Sequence, residues 1–216
     1  MSAPRPTQLV FLGASNLAAD PQQAVAAGLA AAQVAADDAE IWMAAGHGRA
    51  ATVDSRFLLR QRTSLLDCDL WSPLRDRGGA EFALVADLGN DLAYGVAPER
   101  MLRGIDELLG RLEGARVSVV APPVAALERR SRTWLRVVRR AFFPRSPVGF
   151  DQLLDRLRVV RDDLGPLVAR HHRTTLVHPD PAWYGLDPIH LRRRTRAAAW
   201  RAILAPWAPR SSENDV

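Results

Sequence analysis

The feature that most constrains the fold is a regular alternation of short apolar runs with longer segments of helical character. Five runs of four to six residues are typical of buried strands, and most are closed by glycine or proline. They are Gln8 to Leu12, Glu40 to Met43, Phe82 to Asp87, Val117 to Val120 and Thr174 to Val177. The intervening segments predict helices from Pro21 to about Ala36 with Asp20 as N-cap, from Asp54 to Leu66, from Pro98 to Leu112 and from Leu191 to Leu204.

This alternation predicts an α/β fold. Strands that are apolar throughout are buried on both faces, which requires a layer of helices on each side of the sheet. Helical crossovers between strands make the sheet parallel. We therefore predict a three-layer α/β/α sandwich with a parallel five-stranded sheet, formed by a single domain over residues 1–209 and followed by a disordered tail at 210–216.

One stretch, Glu128 to Arg173, is too long for a simple connection between strands. It contains twelve arginines and two helix-like segments separated by Phe142-Phe143-Pro144. One apolar group comprises Val137, Val138, Phe142 and Phe143, and a second comprises Leu153, Leu154, Leu157 and Val160. Two interpretations remain open: an arginine-bearing face near a cleft that favours anionic substrates, or a solvated helix surface with no such role.

The charge and the cysteine content limit the class of protein. All 29 basic residues are arginine, and the net charge is +5. Genome composition or an acidic partner explains the uniform use of arginine. We do not expect nucleic acid as that partner, because the arginines are not interleaved with aromatic residues. The run Leu9 to Leu12 is too short for a signal peptide or a membrane span. A lone Cys68 cannot form an internal disulfide. We therefore expect a cytoplasmic protein that does not insert into a membrane.

Polar clusters follow four of the predicted strands. In a parallel sheet, ligands bind beyond the carboxyl ends of the strands, so these clusters are expected to converge. Each has an ordinary structural explanation when taken alone, as a turn or a helix cap, and Asp187-Pro188 is typical of a helix start. No zinc-type spacing, Walker loop or Gly-x-Gly-x-x-Gly is present, so we predict neither a metal nor a cofactor. The clusters are Gly13-Ala14-Ser15-Asn16, Gly46-His47-Gly48-Arg49, Gly89-Asn90-Asp91 and Asp187-Pro188-Ile189-His190.

In this order the four clusters resemble the motifs of the SGNH hydrolase family, also called GDSL esterases and lipases. That family has Ser after the first strand, Gly after the second, Gly-x-Asn-Asp after the third and Asp-x-x-His near the C-terminus. The resemblance extends from Leu9 to His190 and implies a flavodoxin-like sheet. The departure that matters is at Ala14, which stands where the family usually has Asp before the nucleophile.

The resemblance also implies roles for individual residues. Ser15 is the expected nucleophile, His190 the base that accepts its proton, and Asp187 the acid that orients His190. The backbone N–H groups of Ser15 and Gly48 and the side chain of Asn90 are the expected oxyanion hole, with Gly46 competing with Gly48.

Three functions are compatible with this set. The first is hydrolysis of a small-molecule carboxylic ester, including thioesters and O-acetyl groups. The second is acyl transfer from the same acyl-enzyme to an acceptor other than water. The third is a catalytically silent SGNH-like binding protein, in which the arginine-rich stretch contacts an acidic partner.

Overall fold

A computed structural model describes residues 5–57, 60–143 and 146–209. Five parallel strands form a central sheet in the order β2-β1-β5-β6-β7. Their bounds are β1 Thr7–Leu12, β2 Ala39–Ala44, β5 Phe82–Val85, β6 Arg116–Val120 and β7 Thr174–Val177. All five predicted strands are thus confirmed, with ends that differ by no more than two residues.

Helices cover both faces of this sheet. Their bounds are α1 Ser15–Ala19, α2 Pro21–Ala32, α3 Trp71–Asp76, α4 Asn90–Ala93, α5 Pro98–Gly110, α6 Val124–Glu128, α7 Arg132–Phe142, α8 Phe150–Val168 and α9 Arg196–Leu204. Side chains alternate along β1, so Leu9 and Phe11 pack with α2 and α9, whereas Val10 and Leu12 face α3, α5 and α8. The predicted three-layer α/β/α architecture is confirmed.

The first long helix begins as predicted but ends early. The Asp20 side chain accepts a hydrogen bond from the Gln23 N–H and caps α2. The helix ends at Ala32 rather than near Ala36, because Gln33 takes a left-handed conformation with φ of 57°.

The predicted helix from Asp54 to Leu66 is wrong. The structure has two short antiparallel strands there, β3 Ser55–Phe57 and β4 Arg60–Arg62. Helix propensity is weak enough for tertiary packing to override it, and the side chains of Phe57 and Arg62 pack against Gly48 and Gly46. The hairpin therefore covers the loop that follows β2.

The last helix starts later than predicted, at Arg196 rather than Leu191. Leu191 instead pairs with Tyr184 in an isolated bridge and donates its N–H to Asn16 Oδ1 at 2.8 Å. Asp187 does not open a helix. Its Oδ1 accepts the N–H groups of Ile189 and His190 in a local turn, which satisfies backbone donors without helix formation.

The arginine-rich stretch forms the two predicted helices, α7 and α8. The second apolar group is buried along α8, as predicted. The first was grouped wrongly, because Val137 is 55% exposed; the side chains of Val138 and Phe142, and all of Pro144, lie outside the described part. The predicted disordered tail at 210–216 also lies outside it. No helix in the described ranges is long and apolar enough to cross a membrane.

Several of the arginines on α7 and α8 are paired with carboxylates. Arg132 and Arg136 both contact Asp151, at 3.3 and 3.0 Å, and Arg158 contacts Glu128 at 2.8 Å. These pairs partly neutralise the face that was considered for anionic substrates, which favours the interpretation as a solvated surface.

Candidate active site

Ser15 lies directly after the first strand. Gly13 donates its N–H to the Ala44 carbonyl of the neighbouring strand and so continues the ladder one residue past β1. Ser15 is the first residue of α1. Its Oγ is 2.9 Å from Nε2 of His190, although the two residues are 175 positions apart in the chain.

The second ring nitrogen of His190 contacts Asp187. Nδ1 is 2.5 Å from Asp187 Oδ2. Burial acts to raise the pKa of Asp187, but the hydrogen bond and charge of His190 and two backbone N–H donors outweigh it, so the pKa lies below its ordinary value. Asp187 is therefore ionised at neutral pH and can hold the Nδ1–H tautomer, which leaves Nε2 to accept a proton from Ser15.

Gly48 and Asn90 lie across from this pair. Gly48 has φ of 70°, its carbonyl accepts a hydrogen bond from the Tyr94 hydroxyl at 2.8 Å, and Phe57 packs against it. The Asn90 amide donates one hydrogen to the Arg49 carbonyl at 2.8 Å, and within the described ranges its second hydrogen has no acceptor.

One pocket collects the residues that the sequence singled out. Ser15, Gly48, Asn90, Asp187 and His190 all line it. The competing Gly46 is not among the described lining residues and instead packs against Arg62. Gly48 is thus the glycine that the fold brings to Ser15.

Two contributors to this site were missed by the sequence reasoning: Asp87 and Asn16. Asp87 Oδ2 accepts the N–H groups of Ala14, Asn16 and Leu17 at 2.8, 3.0 and 3.3 Å. The N–H of Ser15, which lies between those of Ala14 and Asn16, is not one of these donors. A carboxylate from the loop after β5 thus stands beside Ala14, the position where the resembling family usually has its own Asp.

The local backbone around Asp87 explains how it reaches that place. Asp87 has φ of 60°, which Asp tolerates better than most residues, and Gly89 has φ of 130°. Leu88 stands where the family pattern has glycine, so the glycine is displaced by one residue. The run Asp87-Leu88-Gly89 was a sequence signal for an unusual turn.

Asn16 joins three segments of the site. Its Nδ2 donates to Asp87 Oδ1 at 2.6 Å and to the Ile189 carbonyl at 3.1 Å, and its Oδ1 accepts the Leu191 N–H. The Ser15 loop, the loop after β5 and the His190 loop are therefore fastened together by one side chain.

The described residues suggest no metal centre. Within them, no group of three or more His, Cys, Asp or Glu is arranged to hold a metal ion. What the cleft offers chemically is a hydroxyl, an imidazole, a carboxylate and several N–H donors.

The sequence matches no protein-family model, and no curated protein is significantly similar to it. The fold does match solved structures. A carbohydrate acetylesterase family member from Sinorhizobium meliloti superposes with a TM-score of 0.57 at 15% identity, covering 93% of this chain and 96% of that one. A putative arylesterase from Agrobacterium tumefaciens gives 0.54 at 18% identity, covering 93% and 97%.

The chain has the SGNH hydrolase fold. A third structure, the psychrotrophic esterase EstA from Pseudoalteromonas sp. inhibited by monoethylphosphonate, superposes with a TM-score of 0.51 at 12% identity, covering 90% of this chain and 92% of that one. Likeness at such identities establishes the SGNH hydrolase fold, and one fold hosts many functions. The chemistry must therefore be inferred from the residues of the cleft.

Proposed function

We propose that this protein is a serine hydrolase that cleaves carboxylic esters through an acyl-enzyme on Ser15. The observation that carries the proposal is the chain of contacts Ser15 Oγ–His190 Nε2 at 2.9 Å and His190 Nδ1–Asp187 Oδ2 at 2.5 Å. A serine hydroxyl is a weak nucleophile at neutral pH and needs an oriented base within hydrogen-bond reach. Hydrolase neighbours of the same fold add support.

The first half-reaction uses this pair directly. As Ser15 Oγ attacks the ester carbonyl carbon, His190 Nε2 takes the hydroxyl proton, and a tetrahedral oxyanion forms. Collapse of the intermediate breaks the bond to the alcohol oxygen, which receives the proton from His190. The ionised Asp187 stabilises the imidazolium during this transfer.

The oxyanion is stabilised by three donors from residues that line the pocket at Ser15. They are the N–H groups of Ser15 and Gly48 and the second amide hydrogen of Asn90. One such donor is worth about 3 kcal/mol in the transition state. That Asp87 accepts the flanking N–H groups but not that of Ser15 leaves this donor for the substrate.

In the second half-reaction, water attacks the acyl-enzyme and His190 acts first as base and then as acid. The carboxylic acid product is released, and Ser15 Oγ regains its proton from His190. Hydrolysis and acyl transfer to another acceptor both require the acyl-enzyme on Ser15. Formation of this intermediate is therefore the feature to test first.

The test is Ser15→Ala, with Ser72→Ala on the exposed surface of α3 as a matched control. We expect Ser15→Ala to lower kcat on activated aryl esters by at least about 10³-fold and to abolish labelling by a fluorophosphonate probe, because the nucleophile is absent. Ser72→Ala should behave as wild type. Near-wild-type rates on every ester in the Ser15→Ala variant would contradict the proposal, and so would a wild-type protein that neither turns over esters nor is labelled.

A further inference from the structure

Two pockets meet at Ser15. The first, the His190 groove, is the pocket described above, lined by Asp187, His190 and Gly48. The second, the apolar pocket, extends from Ser15 toward α7 and α8 and has a volume of about 100 Å³. Ser15 and Asn90 line both, so the proposed reaction centre is their junction.

The apolar pocket is walled by the arginine-rich stretch. Leu135 on α7 and Phe150, Leu153 and Leu157 on α8 line it. All four side chains are at least nine-tenths buried, while the arginines paired with Asp151 are exposed. Buried apolar side chains of both helices therefore face this pocket, together with Arg139, while Arg132 and Arg136 lie on the solvent side.

Three polar side chains in the wall have partners within the described residues, whereas Arg139 Nε is buried there without one. Asp87 accepts four N–H groups, Asn90 donates to Arg49, and Nη1 of Arg139 donates to the Val148 carbonyl at 3.0 Å. An apolar guest displaces none of these bonds, and burial of each further CH₂ group strengthens its binding about fourfold.

The position of His190 decides which part of an ester enters which pocket. His190 must hand its proton to the alcohol oxygen, so the alcohol leaves on its side. The described lining of the apolar pocket includes Ser15 and Asn90 but neither His190 nor Asp187. The remaining substituent of the carbonyl carbon, the acyl chain, then points away from His190.

We infer that the apolar pocket binds the acyl chain and that the substrates are esters of unbranched aliphatic acids of about four to six carbons; this rests on the proposed function. The size follows from the volume, since an apolar cavity of about 150 Å³ holds benzene. Acetyl esters leave most of the pocket empty, and long-chain esters exceed it.

The experiment compares kcat/KM for 4-nitrophenyl esters from acetyl to dodecanoyl in wild type, Leu153→Ala and Leu164→Ala. Leu153 lines the pocket; Leu164, on the same helix, is also buried in the core but is not among the described lining residues. We expect wild type to prefer four to six carbons over acetyl by at least about tenfold. Leu153→Ala should move the optimum at least two carbons longer, and Leu164→Ala should not.

A second measurement does not depend on the variants folding. The rate at which 4-nitrophenyl alkylphosphonates of increasing chain length modify wild-type Ser15, followed by mass spectrometry, should peak in the same range. Ser15-dependent turnover with a flat profile or an acetyl optimum would overturn the acyl pocket and leave the hydrolase proposal intact, as would equal shifts in both variants. Absence of Ser15-dependent turnover and modification at every length would overturn the hydrolase proposal itself.

Discussion

At the scale of single residues, Asp87 holds the backbone on both sides of Ser15. Its two oxygens accept four N–H groups, from Ala14, Leu17, and both the backbone and side chain of Asn16. A carboxylate that accepts several N–H donors forms charge-assisted bonds of about twice the ordinary strength. Asp87 thus fixes the geometry of a residue that it does not touch.

Asp87→Asn tests this positioning. The amide replaces one acceptor oxygen with a donor that faces other donors, so the Ser15 loop should shift. We expect kcat on activated esters and the rate of phosphonylation to fall about 10- to 100-fold with little change in KM. Asp162→Asn, at an exposed ion pair on α8, is the control and should be neutral. Unchanged rates in Asp87→Asn would show that the loop holds its geometry without the carboxylate.

Ser15, Asn90, Asp187 and His190 were singled out because each lies in a polar cluster after a predicted strand, and the resemblance of the ordered clusters to the SGNH hydrolase family implied their roles. Asp87 could not be predicted in the same way. Its partners are mainly backbone N–H groups, and nothing in a sequence shows which backbone groups remain unpaired until the turn around Gly89 is known.

At the scale of elements, the β3–β4 hairpin supports the loop that carries Gly48. A Cβ added at Gly48 would lie 2.7 Å from Phe57 Cβ, and Gly48 has φ of 70°. Both the left-handed backbone and the close packing therefore require glycine at this position. The sequence pattern from Asp54 to Leu66 suits a helix when it is considered alone. The hairpin was missed because the packing of this segment on the loop after β2 is not visible in the sequence.

Gly48→Ala should lower ester turnover at least about tenfold, because the added methyl group forces the loop and its N–H donor away from Ser15. Gly79→Ala is a matched control: Gly79 has φ of 86°, but nothing lies within 4 Å of the added Cβ. Both variants should lose about 1–2 kcal/mol of stability to backbone strain. The double variant with Phe57→Gly, which removes the Phe57 Cβ together with the ring, should recover part of the turnover; a control that loses turnover equally would refute the packing explanation.

At the scale of the whole molecule, the sheet separates two cores, and close approach of helix to sheet on one side depends on a glycine. Gly28 in α2 lies where a Cβ would be 2.8 Å from both Phe11 of β1 and Trp207 after α9. Phe11 and Trp207 are buried, with ring centroids 5.5 Å apart. The three-layer arrangement was predictable from apolar runs, whereas this long-range contact was not.

Gly28→Ala should therefore destabilise the protein, although alanine is the better helix former. We expect a loss of about 1–3 kcal/mol from overpacking against the two rings, measured by urea unfolding. Gly110→Ala at the end of α5, where no atom lies within 4 Å of the added Cβ, should instead be neutral or gain up to about 1 kcal/mol. Stabilisation by both substitutions would show that α2 has room to move.

The Asn16 bridge has a consequence for how the protein is made. A ribosome releases Ser15 and Asn16 early, but their partners Ile189, His190 and Leu191 emerge about 175 residues later. At about 5–20 residues per second, a nascent chain spends on the order of ten seconds or more with its serine exposed and without a base. The proposed catalytic pair can therefore assemble only after His190 has emerged, so every shorter nascent chain lacks the base that Ser15 needs.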